Sequence, residues 1–458
     1  MRPALYTAEW VVPVTAPPVH RGGVLVDERG AIAAVAPGTE LDIGSDVLHV
    51  ALGDAILLPG LINTHTHPEL AGMRGLLEDL PFEQWITLLR RARVGASLDS
   101  ADFAAAARWT CLEALAGGVT TMAATEDSGA AMGAMQEAGL RGTVYREVFG
   151  PAPAQAAGVL EILHARVGAM RSRETDLVRV GISPHAPYTV SDVLFGLAAR
   201  YAMTEGLPVA VHAAESAAEA RLVTYGDGPL ASGLRRRGID TPPRSRSTIA
   251  LLNETGVLAT RPLLIHCVGA DAADIELIRD SGAAVAHCPI ANARLGHGVA
   301  AVPEMLEAGV TVGIGSDSVA SNNRIDLLEE ARVAQLVQRS RLASPSVMTA
   351  AELLRMLTID GARALGLDSR VGSLDVGKDA DLCAVRIEEP HTRPVHDPLA
   401  TLIFSARSAD VVLTAVRGRI LYRDGVCRTL DAATVRPRLE DAAARLRAAR
   451  DDAVSAHA

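Results

Sequence analysis

A rhythm between residues 56 and 320 constrains this 458-residue chain more than any other feature. Short apolar runs recur there, each opened by a turn signal and each ending in polar residues. They are ILLPGLIN (56–63), GVTTMAAT (118–125), GTVYREVF (142–149), VRVGIS (178–183), LPVAVH (207–212), PLLIHC (262–267), GAAVAHC (282–288) and GVTVGIGS (309–316). Several follow an alanine-rich, helix-like segment that closes in Ala-Gly or a similar pair, as in EALAGGV, QEAGL, RDSGA and LEAGV. A helix stopped by glycine and followed by a continuously apolar strand reads as a βα unit, because a strand covered on both faces has no polar side. Eight such units predict an α/β protein built on a (β/α)8 TIM barrel. The strand count alone also admits an open doubly wound sheet.

Titratable residues gather where these runs end. His65 and His67 close the first, His185 follows the fourth, His212 ends the fifth, His266 the sixth and His287 the seventh, with Asp317 after the eighth. In a parallel barrel those ends meet on one face, where active sites are built. A lone histidine beside an apolar strand is more often a core or rim residue than a ligand, so the weight rests on the pair in HTHPEL (65–70). Residues i and i+2 of a strand point the same way, and both imidazoles can aim into the lumen and share one cation. Adding His212 and Asp317 gives three neutral nitrogens and one carboxylate, a set suited to Zn²⁺ or Fe²⁺ with a position left for water. Hydrolysis also needs a proton carrier. Glu215, in HAAES, leaves the fifth strand three residues after His212 and could serve a substrate ring nitrogen or a leaving amine. The alternative for it is a solvated helix-start glutamate. His266 could stabilise developing charge, and Asp317 could be both ligand and proton acceptor.

The formal charge of −10 argues against nucleic acid or an anionic membrane as partner. Five scattered cysteines without a CxxC pair fit reduced thiols and a cytoplasmic setting. The first residues hold no unbroken apolar signal region, and no later stretch reaches the roughly 18 to 20 apolar residues of a membrane span.

The HTH pair after a Pro-Gly-Leu strand, SPHAPYTVS (183–191), VHAAES (211–216), IHCV (265–268), HCPIANARLGHGVAAVPEM (287–305) and IGSDSVASNNRIDLLEE (314–330) carry a resemblance. The chain resembles the amidohydrolase superfamily, and within it the cytosine-deaminase-like branch. That branch holds chlorohydrolases and the S-adenosylhomocysteine, methylthioadenosine and aminofutalosine deaminases. The resemblance implies metal ligation by His65, His67, His212 and Asp317, with Glu215, His266 and Asp317 catalytic. Binuclear members commonly bridge two ions with a carbamylated lysine on the fourth strand. Here the only lysine is Lys378, beyond the barrel. One divalent ion is therefore expected, zinc first and Fe²⁺ second, together with deamination of a small-molecule heterocycle. Hydrolysis of an amide or of a chloride substituent, and a non-catalytic scaffold, are the alternatives.

Further expectations follow from the resemblance. Trp85 would form a wall of the pocket, His185 would contact the ring, and Glu69 and Asn322 would contact the substrate; apart from the resemblance, Arg146, an arginine inside the otherwise apolar third strand, is awkward as core and reads as a donor to a substrate hydroxyl or carboxylate. Adenosine-type relatives keep a ribose-binding glutamate nine residues past the tryptophan, where this chain has Val94 with Arg93 beside it. The arginines of LRRRGIDTPPRSRS (234–247) either receive a substrate carboxylate or form a solvated surface run. Residues 1–57 and 366–430 read as the two parts of a small β-sandwich flanking a barrel domain over 58–365. Residues 431–458 read as a surface or oligomer-contact helix, and a homodimer or larger homo-oligomer is expected.

Overall fold

The computed structural model describes residues 2–41, 44 and 46–455. Eight parallel strands form its centre: β1 (Leu61–Thr66), β2 (Val119–Glu126), β3 (Arg141–Val148), β4 (Val178–Pro184), β5 (Ala210–Ala213), β6 (Leu263–His266), β7 (Ala284–His287) and β8 (Thr311–Ile314). They pair in sequence order as two halves, β1 to β4 and β5 to β8. At one seam Ile182 bridges Val209 in parallel and its N–H donates to the Pro208 carbonyl at 2.9 Å. At the other the Asp317 N–H donates to the His65 carbonyl at 3.0 Å. There the Asn63 side chain also donates to the Ser316 hydroxyl at 2.8 Å and accepts from the Ser316 N–H at 3.0 Å. The strands close into a (β/α)8 barrel, and the open sheet is ruled out.

Alternation along the strands sorts two cores. Ile62, Ala123, Tyr145, Ile265 and Ala286 cluster within the barrel, whereas Val144, Val180, Val211 and Val285 join the larger core shared with the helices. The run 56–63, one strand in the sequence reading, is two here. Ala55–Pro59 pairs with Leu382–Arg386 and Trp10–Val11 in a terminal sheet, so the chain enters the barrel at Gly60 rather than between 57 and 58. A Cβ at Gly60 would lie 2.1 Å from the Thr120 hydroxyl, which is why glycine stands at the crossing.

The terminal sheet takes Trp10–Val11, Val19–His20 and Ala55–Pro59 from before the barrel, and Leu382–Arg386, Val411–Val416, Arg419–Arg423 and Val426–Cys427 from after it. A four-stranded sheet of Ala4–Thr7, Gly22–Val26, Ile32–Pro37 and Leu48–Ala51 shares a core with it through Tyr6, Val24, Leu57, Leu382 and Leu413. Arg141, buried at the start of β3, clasps this unit to the barrel. It donates to both oxygens of Asp381, at 2.8 and 3.1 Å, and to Asp379 at 2.8 Å. Lys378 belongs to the same unit, where its ammonium donates to the Ser373 hydroxyl at 2.6 Å.

The C-terminal helix, Ala432–Ser455, buries Val435, Leu439, Ala442 and Leu446. This spacing makes one face, and that face packs on helices Phe82–Gly95 and Ser100–Ala116 of the same chain. Its apolar side is therefore covered from within. No helix among the described residues is long and apolar enough to cross a membrane.

Candidate active site

The strand ends bring four ligand-type side chains to one point. His65 Nε2 lies 3.4 Å and His67 Nε2 3.7 Å from Asp317 Oδ1, and the Nε2 atoms of His67 and His212 are 3.3 Å apart. The Nδ1 of His212 sits 3.2 Å from the His185 carbonyl, which makes it the donor and leaves Nε2 only a lone pair to present. The Nε2 of His65 is buried with no hydrogen-bond partner. Burial pushes the imidazole of His67 down to about 3 and that of His212 well below its ordinary value, so both are neutral. Lone pairs facing one another around an orphaned ring nitrogen and a carboxylate fit a divalent cation. Asp317 is oriented for this, accepting from the Ser318 N–H at 2.6 Å and the Ser321 hydroxyl at 2.8 Å.

Glu215 stands beside this point, buried in the turn after β5. Its Oε1 is 3.6 Å from His266 Nε2 and 3.3 Å from His297 Nε2, and its Oε2 accepts from the Tyr188 hydroxyl at 3.3 Å. Burial alone would raise the carboxyl, but His266 and His297 overcome it and hold it at about 2, ionised at neutral pH. The turn is anchored by Glu219, which accepts from the N–H groups of Ala214 and Glu215 at 2.8 and 3.1 Å. His266 Nδ1 lies 2.9 Å from Asn292 Oδ1, so Nδ1 donates and Nε2 faces the centre. Ala214, His266 and Asp317 hold φ of 51°, 76° and 55°, a left-handed conformation that costs energy outside glycine and marks strand ends bent for a purpose.

Two of these participants escape the sequence reading. His297 comes from a loop after β7, between two glycines, and no local period announces it. Glu219 was legible as the fourth residue of Ser216-Ala-Ala-Glu219, a capping-box pattern whose glutamate here reaches back to the turn.

A cavity of about 550 Å³ opens above the centre, with His67, His212, Glu215, His266 and Asp317 in its floor. Trp85 lines it, stacked on Phe82 at 6.1 Å with its indole N–H donating to the Ala320 carbonyl at 3.4 Å. His185 and Glu69 line it too. Glu69 is already engaged, accepting from Arg93 and from the Ser128 N–H, each at 2.9 Å. Arg93 also donates to Asp127 at 2.7 Å, and Val94 is exposed at the rim.

Two expected substrate contacts lie elsewhere. Arg146 is not among the residues lining the cavity: Tyr145 faces the barrel interior and Val144 and Val148 face the helices, so Arg146 has the outward parity. Asn322 is spent on the Ser316 carbonyl at 2.7 Å and on Glu330. His287 also stands apart, buried on the outward side of β7 with neither ring nitrogen partnered. Of the basic loop only Arg237 lines this cavity, while Arg244 is held by Asp192 and the Pro187 carbonyl and Arg246 by Asp271 and Asp274.

This barrel, with three histidines and an aspartate at its mouth, is that of a metal-binding hydrolase, and residues 56–421 match the Amidohydrolase family. The chain belongs to that family. It is 33% identical over 429 residues to the 5-methylthioadenosine/S-adenosylhomocysteine deaminase of Moorella thermoacetica, covering 92% of this chain and 94% of the relative. It is 31% identical over 437 residues to the 5'-deoxyadenosine deaminase of Methanothermobacter thermautotrophicus, covering 93% and 95%. Among solved structures, a zinc-bound adenosine deaminase from Xanthomonas campestris superposes with a TM-score of 0.85 at 28% identity, over 97% of this chain and 98% of that one.

Proposed function

We propose that this protein is a mononuclear metal-dependent aminohydrolase that replaces the exocyclic amino group of an adenine-nucleoside-like heterocycle with oxygen from water, releasing ammonia. The observation that carries the reading is an ionised, buried carboxylate, Glu215, set beside a cluster of neutral imidazoles at the floor of a cavity able to hold a nucleoside. A divalent ion held by His65, His67, His212 and Asp317, zinc first and Fe²⁺ second, would bring the pKa of a coordinated water toward about 7 and so supply the nucleophile. Glu215 takes one proton of the attacking water and delivers it to a ring nitrogen, and Asp317 takes the second, which leaves with the amine as ammonia. His266 faces the centre with Nε2, and its contact with Asn292 through Nδ1 holds that orientation. Trp85 and His185 bound the space for the ring. One ion is the favoured number because Lys378 lies outside the barrel and His212 has a single free nitrogen. The relatives named for methylthioadenosine, S-adenosylhomocysteine and 5'-deoxyadenosine supply the substrate class.

The test is ammonia release by the zinc-loaded protein over methylthioadenosine, S-adenosylhomocysteine, 5'-deoxyadenosine, adenosine and aminofutalosine, with Asp317→Asn as blank. Release from one of them, absent in the blank, supports the reading. Silence across the panel with metal bound refutes deamination and leaves other leaving groups.

A further inference from the structure

Glu147 is the carboxylate at the cavity that neither the chemistry above nor a hydrogen bond from Arg93 engages. It lies at the C-terminal end of β3 on the inward parity set by Tyr145, and it lines the cavity while only 6% exposed. Its Oε1 is fully buried and has no hydrogen-bond partner. A buried acceptor left unmade costs free energy, and such a group at a cavity wall calls for a ligand that completes it.

Its neighbours define what that ligand must bring. The Nε2 of His185 is 3.7 Å from Oε1, too long for a hydrogen bond. Glu147, His185 and His212 lie close enough together to suggest a second cation, but His212 Nδ1 is committed to the His185 carbonyl and its other nitrogen faces His67, so a third ligand is missing. On the opposite flank Arg93 spends its Nη2 on Glu69 and Asp127. Three carboxylates and one occupied guanidinium make this wall rich in acceptors. Whatever docks there must supply donors. Burial, reinforced by the charge of Asp127 and Glu69, pushes the Glu147 carboxyl well above the usual range, and a neutral carboxyl pairs with a hydroxyl, which both donates and accepts, rather than with an ammonium, which only donates. Phe103 and Phe149 flank the same wall, and together with Glu147 they also line an adjoining space of about 450 Å³ bounded by Val159, Ile162 and Leu163. Room therefore exists for a ring-shaped polar arm with a further substituent beyond it.

We propose that Glu147 is a specificity-determining residue that binds the hydroxyl groups of a sugar carried by the substrate, leaving the heterocycle over Glu215 and the imidazoles. The inference rests on the aminohydrolase reading for the position of the heterocycle. A site built to hydrogen-bond a hydroxyl discriminates strongly against an analogue that lacks it.

The test compares adenosine with 2',3'-dideoxyadenosine for turnover, and inosine with 2',3'-dideoxyinosine for calorimetric binding, in the zinc-loaded wild type, Glu147→Gln and Glu147→Ala. The wild type should favour the hydroxylated member of each pair by 10-fold or more. In Glu147→Ala that preference should collapse through KM and Kd, with values for the dideoxy compounds within about threefold of wild type, and Glu147→Gln should fall between. Equal losses on both members of a pair would mean a structural role and overturn the proposal, as would a larger loss on 5'-amino-5'-deoxyadenosine than on adenosine. Binding selectivity that depends on Glu147 without any ammonia release would uphold it while refuting deamination. Deamination indifferent to Glu147 would do the reverse.

Discussion

Replacing Glu215 with Gln isolates the proton carrier. The substitution keeps the size of the side chain and its acceptor for the Tyr188 hydroxyl, and the turn stays anchored because Glu219 holds the backbone of residues 214 and 215. What it removes is a full negative charge, since a carboxyl held at about 2 is wholly ionised at pH 7. Loss of a positioned general acid–base group lowers rate by about 10²- to 10⁴-fold. At about 1.4 kcal/mol per tenfold, that is on the order of 3 to 5 kcal/mol of barrier. The assay is steady-state ammonia release, with metal content and melting temperature measured on the same preparation. The expected result is a kcat reduced by at least 10²-fold, KM within a few-fold, one metal equivalent retained and an unchanged melting temperature. A kcat within tenfold of wild type, with metal bound, would refute the assignment, since an unassisted water could not keep that pace.

Three further outcomes are expected. Arg141→Met strands the buried Asp381 carboxylate and should cost about 3 to 5 kcal/mol in denaturant unfolding, most of it regained in Arg141→Met/Asp381→Leu; a double variant no better than the single would refute the clasp. Burial holds His287 at about 3, so the unfolded chain, titrating near 6.5, takes the proton first. Stability present above pH 6.5 is then lost on acidification toward 3, on the order of 5 kcal/mol at the limit; His287→Leu should flatten the melting-temperature profile between pH 6 and 4, and an unaltered slope would count against it. Asn292→Ala frees His266 Nδ1 and should lower kcat about tenfold at unchanged KM; a loss in KM alone would place Asn292 in substrate binding instead.

The convergence of His65, His67, His212 and Asp317 was legible in the sequence because two simple periods produce it: side chains alternate along a strand, and parallel strands in a barrel end on one face. The same alternation, carried one residue further, separates Glu147 from Arg146, yet an arginine inside an apolar strand draws the eye first. Asn322 was expected to contact substrate, but its amide is claimed by Glu330, eight residues on, through a loop whose path no pattern records. His297 reaches Glu215 by loop geometry alone. The division of the run 56–63 at Gly60 was hidden because both strands it joins are buried on each face, and apolar sequence does not say which sheet receives it.

The helix that ends the described chain has a further consequence. Its buried face rests on Phe82–Gly95, the helix that carries both Trp85 and Arg93, and its Arg438 and Arg445 grip Asp102 of the helix that follows. The tail thus acts as a buttress for one wall of the cavity, remote from the reacting atoms. A protein cut near residue 431 would retain its barrel and the convergent histidines while that wall lost its backing, so substrate affinity would be the first property to fail.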